Sequence, residues 1–165
     1  QDENYVYFTL ADGTVIKIAK GKESTNQTHG FYNNHEFVDL GLPSGTKWKS
    51  VNENGDYSYD SAIDNFGKYV PTKEQWQELR ACCVWEWTWE KHGYWVTGNN
   101  GNSIFLPAAG RRYCNGDVYS AGLFGFYWSS TPDDSDLAWH LCFDASEVFV
   151  SEYDRCDGFS VRLVQ

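Results

Sequence analysis

The chain has 165 residues, the length of a single domain or of a domain with a short appendage. Its formal net charge is −10 and its pI is about 4.7, which argue against a nucleic-acid partner because phosphate binding needs a basic face. We therefore expect no nucleic-acid partner. No stretch approaches the roughly 20 apolar residues of a membrane span, so we expect no membrane-spanning segment either. Aromatic residues are frequent, at 18%, and such side chains serve both cores and binding surfaces.

The first 20 residues have the pattern of a β-hairpin. Two β-rich runs, 5–10 and 14–18, flank Asp12-Gly13, which is a strong two-residue turn signal. An isolated hairpin is marginal in water, so we expect it to dock on the main domain, on an upstream domain or on a fibre subunit. Residues 21–34 are polar and unpatterned, as in a linker. Residues 35–165 are then expected to form one ligand-binding domain.

One helix has clear signals at both ends. Thr72 is a good N-cap and Gln75 lies at the third helical position, which together predict a capping box. Apolar residues recur at helical spacing from Trp76 onwards, which indicates one buried face, and we expect the helix to end around Cys83. A single further helical turn is predicted at 60–63.

Short alternating or β-rich segments predict strands in the rest of the domain. Short strands, one or two helices and much irregular loop fit an α+β fold with small antiparallel sheets. Residues 99–102 predict a hairpin turn, and residues 111–125 are expected to be loop. The predicted strands lie within 36–43, near 48, and at 84–89, 93–98, 103–107, 126–129, 138–143, 147–150 and 160–164.

The cysteines and the acidic residues give no support for a metal site, and no cofactor is expected. No C-x-x-C pair occurs, so a zinc site has no sequence signal. Free or buried thiols are the preferred interpretation, and one or two disulfides, including a Cys142–Cys156 bridge, are the alternative. The acidic run at 133–136 contains the oxygen ligands that a hard cation prefers, but an exposed acidic loop is the commoner explanation. The cysteines are Cys82, Cys83, Cys114, Cys142 and Cys156.

Several strings of sequence resemble one known family, the Fibrobacter succinogenes major paralogous domain, which is common on surface proteins of Bacteroidetes and their phages. The resemblance covers about residues 35–165, although residues 49–68 replace a longer family segment. It implies a C-type-lectin-like fold, shared with formylglycine-generating enzymes and with variable proteins of diversity-generating retroelements. It also implies an extracellular or cell-surface location, or a phage particle. The strings are HEFVDLGLPSGTKW at 35–48, VPTKEQWQEL at 70–79, CVWEWT at 83–88, GNSIFLPAAG at 101–110, YWSST at 127–131 and GFSVR at 158–162.

Two functions of related proteins find no matching motif. Calcium-dependent sugar binding in C-type lectins uses Glu-Pro-Asn or Gln-Pro-Asp together with Trp-Asn-Asp, and neither string occurs. Formylglycine-generating enzymes need two active-site cysteines a few residues apart, whereas Cys142 and Cys156 are fourteen apart. We therefore expect a non-enzymatic adhesion or receptor-binding module whose ligand is a protein or a surface glycan. The alternatives are an enzyme of that type and a structural module of a surface fibre or adhesin.

The C-terminal third interleaves two sets of residues. The first set is expected to hold the fold: Trp128, Trp139, Leu141, Phe143, Val161 and Arg162, with Arg162 as a buried partner of a carboxylate. The second set is chemically mixed, as in variable proteins whose Asn codons are mutated at template adenines. Its members His140, Cys142 and Asp144 alternate with apolar neighbours, which predicts one packed face and one free face.

The second set supplies the candidate ligand-binding residues, because a mixed aromatic and polar patch suits specific recognition. Replacing His140, Phe149 and Tyr153 together by alanine is expected to leave folding unchanged. The alternatives of a structural His140 and of ordinary strand aromatics remain open. The candidates are Tyr113, Tyr119, Phe124, Phe126, Asp133, Asp136, Leu137, His140, Cys142, Asp144, Phe149, Glu152, Tyr153, Asp154, Cys156 and Asp157.

Overall fold

The computed structural model describes residues 5–9, 15–19, 30–32 and 35–165, with side chains from residue 36 onwards. The helices are α1 (Tyr59–Phe66) and α2 (Lys73–Cys82), with a 3-10 turn at Gly67–Tyr69. The described strands are β1 (Tyr5–Thr9), β2 (Val15–Ala19), β3 (Gly30–Tyr32), β4 (His35–Asp39), β5 (Lys47–Lys49), β6 (Val84–Thr88), β7 (Gly93–Thr97), β8 (Ser103–Pro107), β9 (Arg111–Arg112), β10 (Val118–Tyr119), β11 (Gly125–Pro132), β12 (Leu137–Phe143) and β13 (Val148–Asp154).

Small antiparallel sheets dominate the described part of the chain. Three of them have three strands, β3-β4-β5, β6-β7-β8 and β11-β12-β13, and two are pairs, β1-β2 and β9-β10. With two helices beside these sheets, the α+β class is confirmed. The turn at 10–14 and residues 21–29 of the predicted linker lie outside the described residues, while 30–32 form β3 against β4.

The predicted helix is confirmed as α2, together with its capping box. Thr72 Oγ1 accepts from the Gln75 backbone N–H at 3.2 Å, and Gln75 Oε1 accepts from the Thr72 N–H at 2.8 Å. Trp76 is buried against the sheet and donates its indole N–H to the Trp128 carbonyl at 3.1 Å. The predicted turn at 60–63 is longer than expected, because Ser58 caps an eight-residue α1.

The sheet β11-β12-β13 lies between two hydrophobic cores. Residues on alternate positions of β12 enter opposite cores, so both faces of this central strand are covered. The helix α2 packs on the first face, where Trp76 and Tyr127 lie 5.7 Å apart. On the second face Phe159 stacks on Trp128 at 4.1 Å. This second core is what the sequence pattern did not reveal.

Two local expectations are corrected. Residues 111–125 are not entirely loop, because β9 and β10 form a short hairpin within them. Residues 160–164 make isolated bridges, such as Tyr127 with Ser160 and Trp48 with Val164, instead of a continuous strand.

Arg162 is buried as expected, but its hydrogen-bond partners differ from the prediction. The guanidinium donates to Asn52 Oδ1 at 2.8 Å, to the Lys49 carbonyl at 2.9 Å and to the Phe105 carbonyl at 2.6 Å. None of these acceptors is a carboxylate. An arginine with several donors in a fixed fork can satisfy them on carbonyl oxygens, so Arg162 ties three separate segments together.

Candidate functional site

A disulfide joins the β9–β10 hairpin to the segment that follows β13. Cys114 and Cys156 form it, with their Cα atoms 5.2 Å apart. The alternative bridge between Cys142 and Cys156 is therefore wrong. The other cysteines are free: Cys82 is exposed, Cys83 is half-buried and Cys142 is buried.

Two clefts lie on either side of this disulfide and share the side chain of Asp154. The hairpin cleft has a volume of about 460 Å³ and the helix cleft about 570 Å³, both within the range of small-ligand sites. Tyr113, Cys114, Asn115, Tyr153, Asp154 and Asp157 line the hairpin cleft. Ser58, Asp60, Ser135, Asp136, Asp154, Arg155 and Cys156 line the helix cleft.

Arg111 organises the aromatic residues behind the hairpin cleft, and the sequence analysis missed it. Its guanidinium carbon lies 4.5 Å from the ring centre of Tyr153 and 4.7 Å from that of Tyr113. The rings of Phe126 and Tyr119 follow at 5.2 and 5.6 Å. A cation so close to aromatic faces is attracted by their quadrupoles. Arg111 therefore holds four predicted residues together, although no local sequence signal links it to Tyr153.

Three buried polar atoms in this region lack a hydrogen-bond partner. They are Arg111 Nε, Asp157 Oδ2 and His140 Nδ1. Asp157 Oδ2 lies 3.6 Å from Arg111 Nη1, an ion pair without a hydrogen bond. Burial raises the pKa of the Asp157 carboxyl, opposed by the hydrogen bond from Cys114 and by the charge of Arg111. Buried polar groups are normally satisfied, so this concentration marks the region as a functional candidate.

The expected free face of β12 is wrong at His140 and Cys142. Both are buried, with 2% and 3% of their surface exposed, and both enter the second core beside Trp128 and Phe159. A period of two identifies residues that share a face, but it does not reveal what covers that face. Phe126 and Asp157 are also buried, although Asp157 forms part of the wall of the hairpin cleft, so four of the candidates have little exposed surface.

His140 and Cys142 lie two residues apart on one face of β12. Their pKa shifts argue against a reactive pair of thiolate and imidazolium at this place. Burial lowers the pKa of His140 to about 4, and the hydrogen bond with the Ser151 backbone opposes this shift. Burial likewise raises the pKa of the Cys142 thiol to about 12. Each group is held neutral, whereas a nucleophilic pair needs thiolate and imidazolium.

The remaining candidates are more exposed, and they lie at different places on the surface. Asp136 belongs to the helix cleft, with Asp133 and Leu137 near it at the β11–β12 turn. Asp134 Oδ1 accepts from the backbone N–H groups of Asp136 and Leu137, both at 2.8 Å, which gives this acidic turn a structural explanation. Phe149 and Glu152 lie exposed along the edge strand β13. They line neither cleft.

Phe124 and Asp144 line a third depression, which we call the aromatic groove. Its volume is about 230 Å³. The groove shares no lining residue with the two clefts. Its walls are Trp87, Trp89, Leu123, Phe124, Asp144, Ala145 and Ser146.

The one cluster of potential metal ligands within the described residues offers no thiolate. It consists of Cys114, Cys156 and Asp157, and the two sulfur atoms are bonded to each other. Zinc binding by cysteine requires free thiolates, so this cluster does not fit a zinc site.

Comparison with known proteins places the C-terminal part of the chain beside one family. Residues 89–164 match the family model described as a domain of unknown function, DUF8237. All sixteen candidate residues and Arg111 fall within the matched range. No curated protein and no solved structure matches the chain. Among the described residues, no helix has the length and apolar character needed to cross a membrane.

Proposed function

We propose that the chain is a non-enzymatic ligand-binding module with a C-type-lectin-like fold, acting in adhesion or receptor binding. One observation carries this proposal: segments distant in sequence meet beside the Cys114–Cys156 disulfide and form two adjoining clefts. Residues 113–115 and 153–157 form the hairpin cleft, and residues 58–60, 135–136 and 154–156 form the helix cleft. The clefts present tyrosine rings, an amide and carboxylates, the mixture that protein and glycan ligands require. The ligand is a protein or a surface glycan, bound at these two clefts.

The location we propose is extracellular, on a cell surface or on a phage particle. The Cys114–Cys156 disulfide supports it, because such bonds persist in oxidising surroundings and are rare in the cytosol. The sulfur atoms of both residues lie next to the clefts, so the redox state of the surroundings bears directly on the proposed site.

We further propose that the chain is a variable protein of a diversity-generating retroelement. Support comes from the exposure of several candidates on a scaffold with covered sheets: Tyr119, Phe149, Glu152 and Asp154 are all exposed. Substitutions at such positions usually change stability by less than about 0.5 kcal/mol, so they can vary freely. The four buried candidates are poor positions for variation, which narrows the diversified set to the surface.

The enzyme alternative has less support than binding. A formylglycine-generating site would need two reactive cysteines close together, and here Cys156 is bonded to Cys114 while Cys142 is buried with a raised pKa. The other free cysteine with a shifted pKa is Cys83, and burial raises the pKa of its thiol to about 11. Such thiols are weak nucleophiles at neutral pH.

Binding is tested on an array of surface glycans and surface proteins, probed with the whole chain. A Tyr153→Ala/Asp154→Asn double variant should lose at least about tenfold in retention of any bound ligand, because it alters both clefts. A Trp95→Ala/Glu86→Gln double variant is the matched control, since both residues are exposed on the sheet β6-β7-β8, line neither cleft and are not among the candidates. Equal retention by both variants would exclude the clefts as the binding surface.

Diversification is tested in the DNA that surrounds the gene. A near-copy of the 3′ coding end that differs only at adenines, next to a reverse transcriptase, is the expected arrangement. Sibling copies should differ at exposed positions such as Tyr119 and Asp154 and agree at Trp128 and Leu141. Differences spread evenly over surface and core would contradict the idea.

A further inference from the structure

The aromatic groove has features of a second binding site, and its case does not rest on the two clefts. Trp89 forms one wall and is 67% exposed, and Leu123 forms another and is 57% exposed. The ring of Trp87 meets that of Trp89 edge to face at 5.5 Å. Exposed tryptophan and leucine at one concave place are unusual on a free surface.

A buried hydrogen-bond donor in the groove has no partner. Trp87 Nε1 is buried from solvent, and it donates a hydrogen bond to no described atom. Other indoles find acceptors: Trp85 donates to the Leu79 carbonyl at 3.3 Å, and Trp128 to the Tyr57 carbonyl at 2.7 Å. Trp48 Nε1 is also unpartnered, but Trp48 lies deep in the first core and lines none of the clefts. Trp87 therefore combines a ring that lines the groove with a buried indole N–H that no described atom accepts.

A charged carboxylate stands beside these aromatic walls. Asp144 Oδ1 accepts from Ser146 N and Ser146 Oγ, both at 2.7 Å, and from Glu147 N at 3.1 Å. These hydrogen bonds, that of the Ser146 side chain first, hold the pKa of Asp144 below its usual value. The second oxygen, Oδ2, takes no part in the turn. It leaves a negative charge at the edge of an apolar groove.

Tryptophans elsewhere on the chain already carry a cation of their own. Lys91 Nζ lies 5.1 Å from the ring centre of Trp95, and Lys73 Nζ lies 3.8 Å from that of Trp139. Among the described residues, no lysine or arginine lies over the ring of Trp89, although this side chain is strongly exposed. Trp89 combines an open ring face with a nearby carboxylate, which is the arrangement that favours a cation.

We propose that the aromatic groove binds one lysine or arginine side chain of a protein partner. The aliphatic stem packs against Leu123 and Phe124, and the cationic head lies over Trp89 and pairs with Asp144. The volume of about 230 Å³ is below the usual range for whole small-molecule ligands, which suits a single side chain. The net charge of −10 adds long-range attraction for a basic partner.

The test titrates the whole chain with Nα-acetyl-lysinamide and with Nα-acetyl-norleucinamide. Binding is monitored by NMR through the tryptophan indole N–H signals. The two probes share an aliphatic stem and differ in the charged head. Lysinamide should shift the Trp87 and Trp89 signals in a saturable way, and norleucinamide should bind about tenfold more weakly. Trp87→Phe and Trp89→Phe variants assign the two signals.

Asp144→Asn is the decisive variant, because Asn keeps the Oδ1 acceptor of the turn and removes the charge. It should weaken lysinamide binding about tenfold. Asp134→Asn is the matched control, since Asp134 caps a similar turn at the other end of β12. The Asp134→Asn variant should bind lysinamide as tightly as the unmodified chain does.

Three outcomes would overturn the proposal. Equal binding of the two probes would make the groove an apolar pocket without preference for a cation. Shifts of the same indole signals by a disaccharide such as maltose, without shifts by lysinamide, would assign the groove to glycans. Unchanged indole signals up to the solubility limit of lysinamide would show that the groove does not bind a basic side chain.

Discussion

Asp157 connects the disulfide to the arginine behind the hairpin cleft: its Oδ1 accepts from the Cys114 N–H at 3.1 Å, and its Oδ2 lies 3.6 Å from Arg111 Nη1. The side chains of Arg111 and Asp157 are only 10% and 5% exposed. This pair therefore joins the covalent bond, the aromatic rings and the cleft wall in one contiguous unit.

Asp157→Asn should destabilise the chain by about 3 kcal/mol, because it leaves the Arg111 charge buried without a counter-charge. Asn still offers an oxygen to the Cys114 N–H, so the change isolates the charge. Urea unfolding measures the loss, and a double-mutant cycle with Arg111→Gln measures the coupling.

The matched control for that pair is the exposed one between Arg112 and Asp56, 3.5 Å apart, with side chains 46% and 24% exposed. Asp56→Asn should cost less than about 1 kcal/mol, since solvent screens an exposed pair. Similar losses at both sites would contradict the role assigned to the Arg111–Asp157 pair.

Removing the disulfide should also lower stability. Cys114 and Cys156 are 42 residues apart in sequence. Closing a loop of that size lowers the conformational entropy of the unfolded chain, which stabilises the folded state by about 4 kcal/mol in the entropic account. A Cys114→Ser/Cys156→Ser double variant, compared in urea with the unmodified chain, gives the measurement. Cys82→Ser is the control, because Cys82 is free and exposed. No difference between the double variant and this control would refute the stabilising role.

Acid should weaken the fold through His140. Its pKa is about 4 in the folded chain and about 6.5 when unfolded, so the unfolded state binds the proton first as pH falls. The free energy of unfolding is thus fully retained above pH 6.5 and decreases between pH 6.5 and about 4, by about 3 kcal/mol in total. His140→Phe should remove this decrease, as read from urea midpoints at pH 7, 6, 5 and 4. Parallel pH profiles for the two chains would contradict this assignment.

The expectation that His140, Phe149 and Tyr153 can be replaced together without loss of stability is revised. His140→Ala alone should cost about 3 kcal/mol, because it opens a cavity beside Trp128 and Phe159. Phe149→Ala should change stability by less than about 1 kcal/mol, since 37% of its surface is exposed on an edge strand. Thermal unfolding of the two single variants separates these positions, and equal losses would argue against the burial described for His140.

Elements with local signals were predictable from sequence. The capping box at Thr72 and Gln75 marks the start of α2, and alternation over 84–88 marks β6. The turn at 99–102 between β7 and β8 also follows from its residue types. In each case the determining groups lie within a few residues of each other.

Features that depend on distant contacts were not predictable. The second core brings Phe37, Tyr59 and Phe159 to the sheet from separate parts of the chain, and this is why His140 is buried. Cysteine pairing cannot be deduced from spacing alone. Arg111 acquires its role only where Tyr153 folds back against it, some forty residues along the chain.

The disulfide also governs how the chain responds to proteases. Cys114 and Cys156 enclose β10 to β13 in a covalent ring, and the segment 115–118 inside that ring is exposed. Exposed loop tips are preferred cleavage sites. A single cut there leaves both pieces bonded through sulfur, so a nicked molecule keeps the two sides of the hairpin cleft together until a reductant separates them.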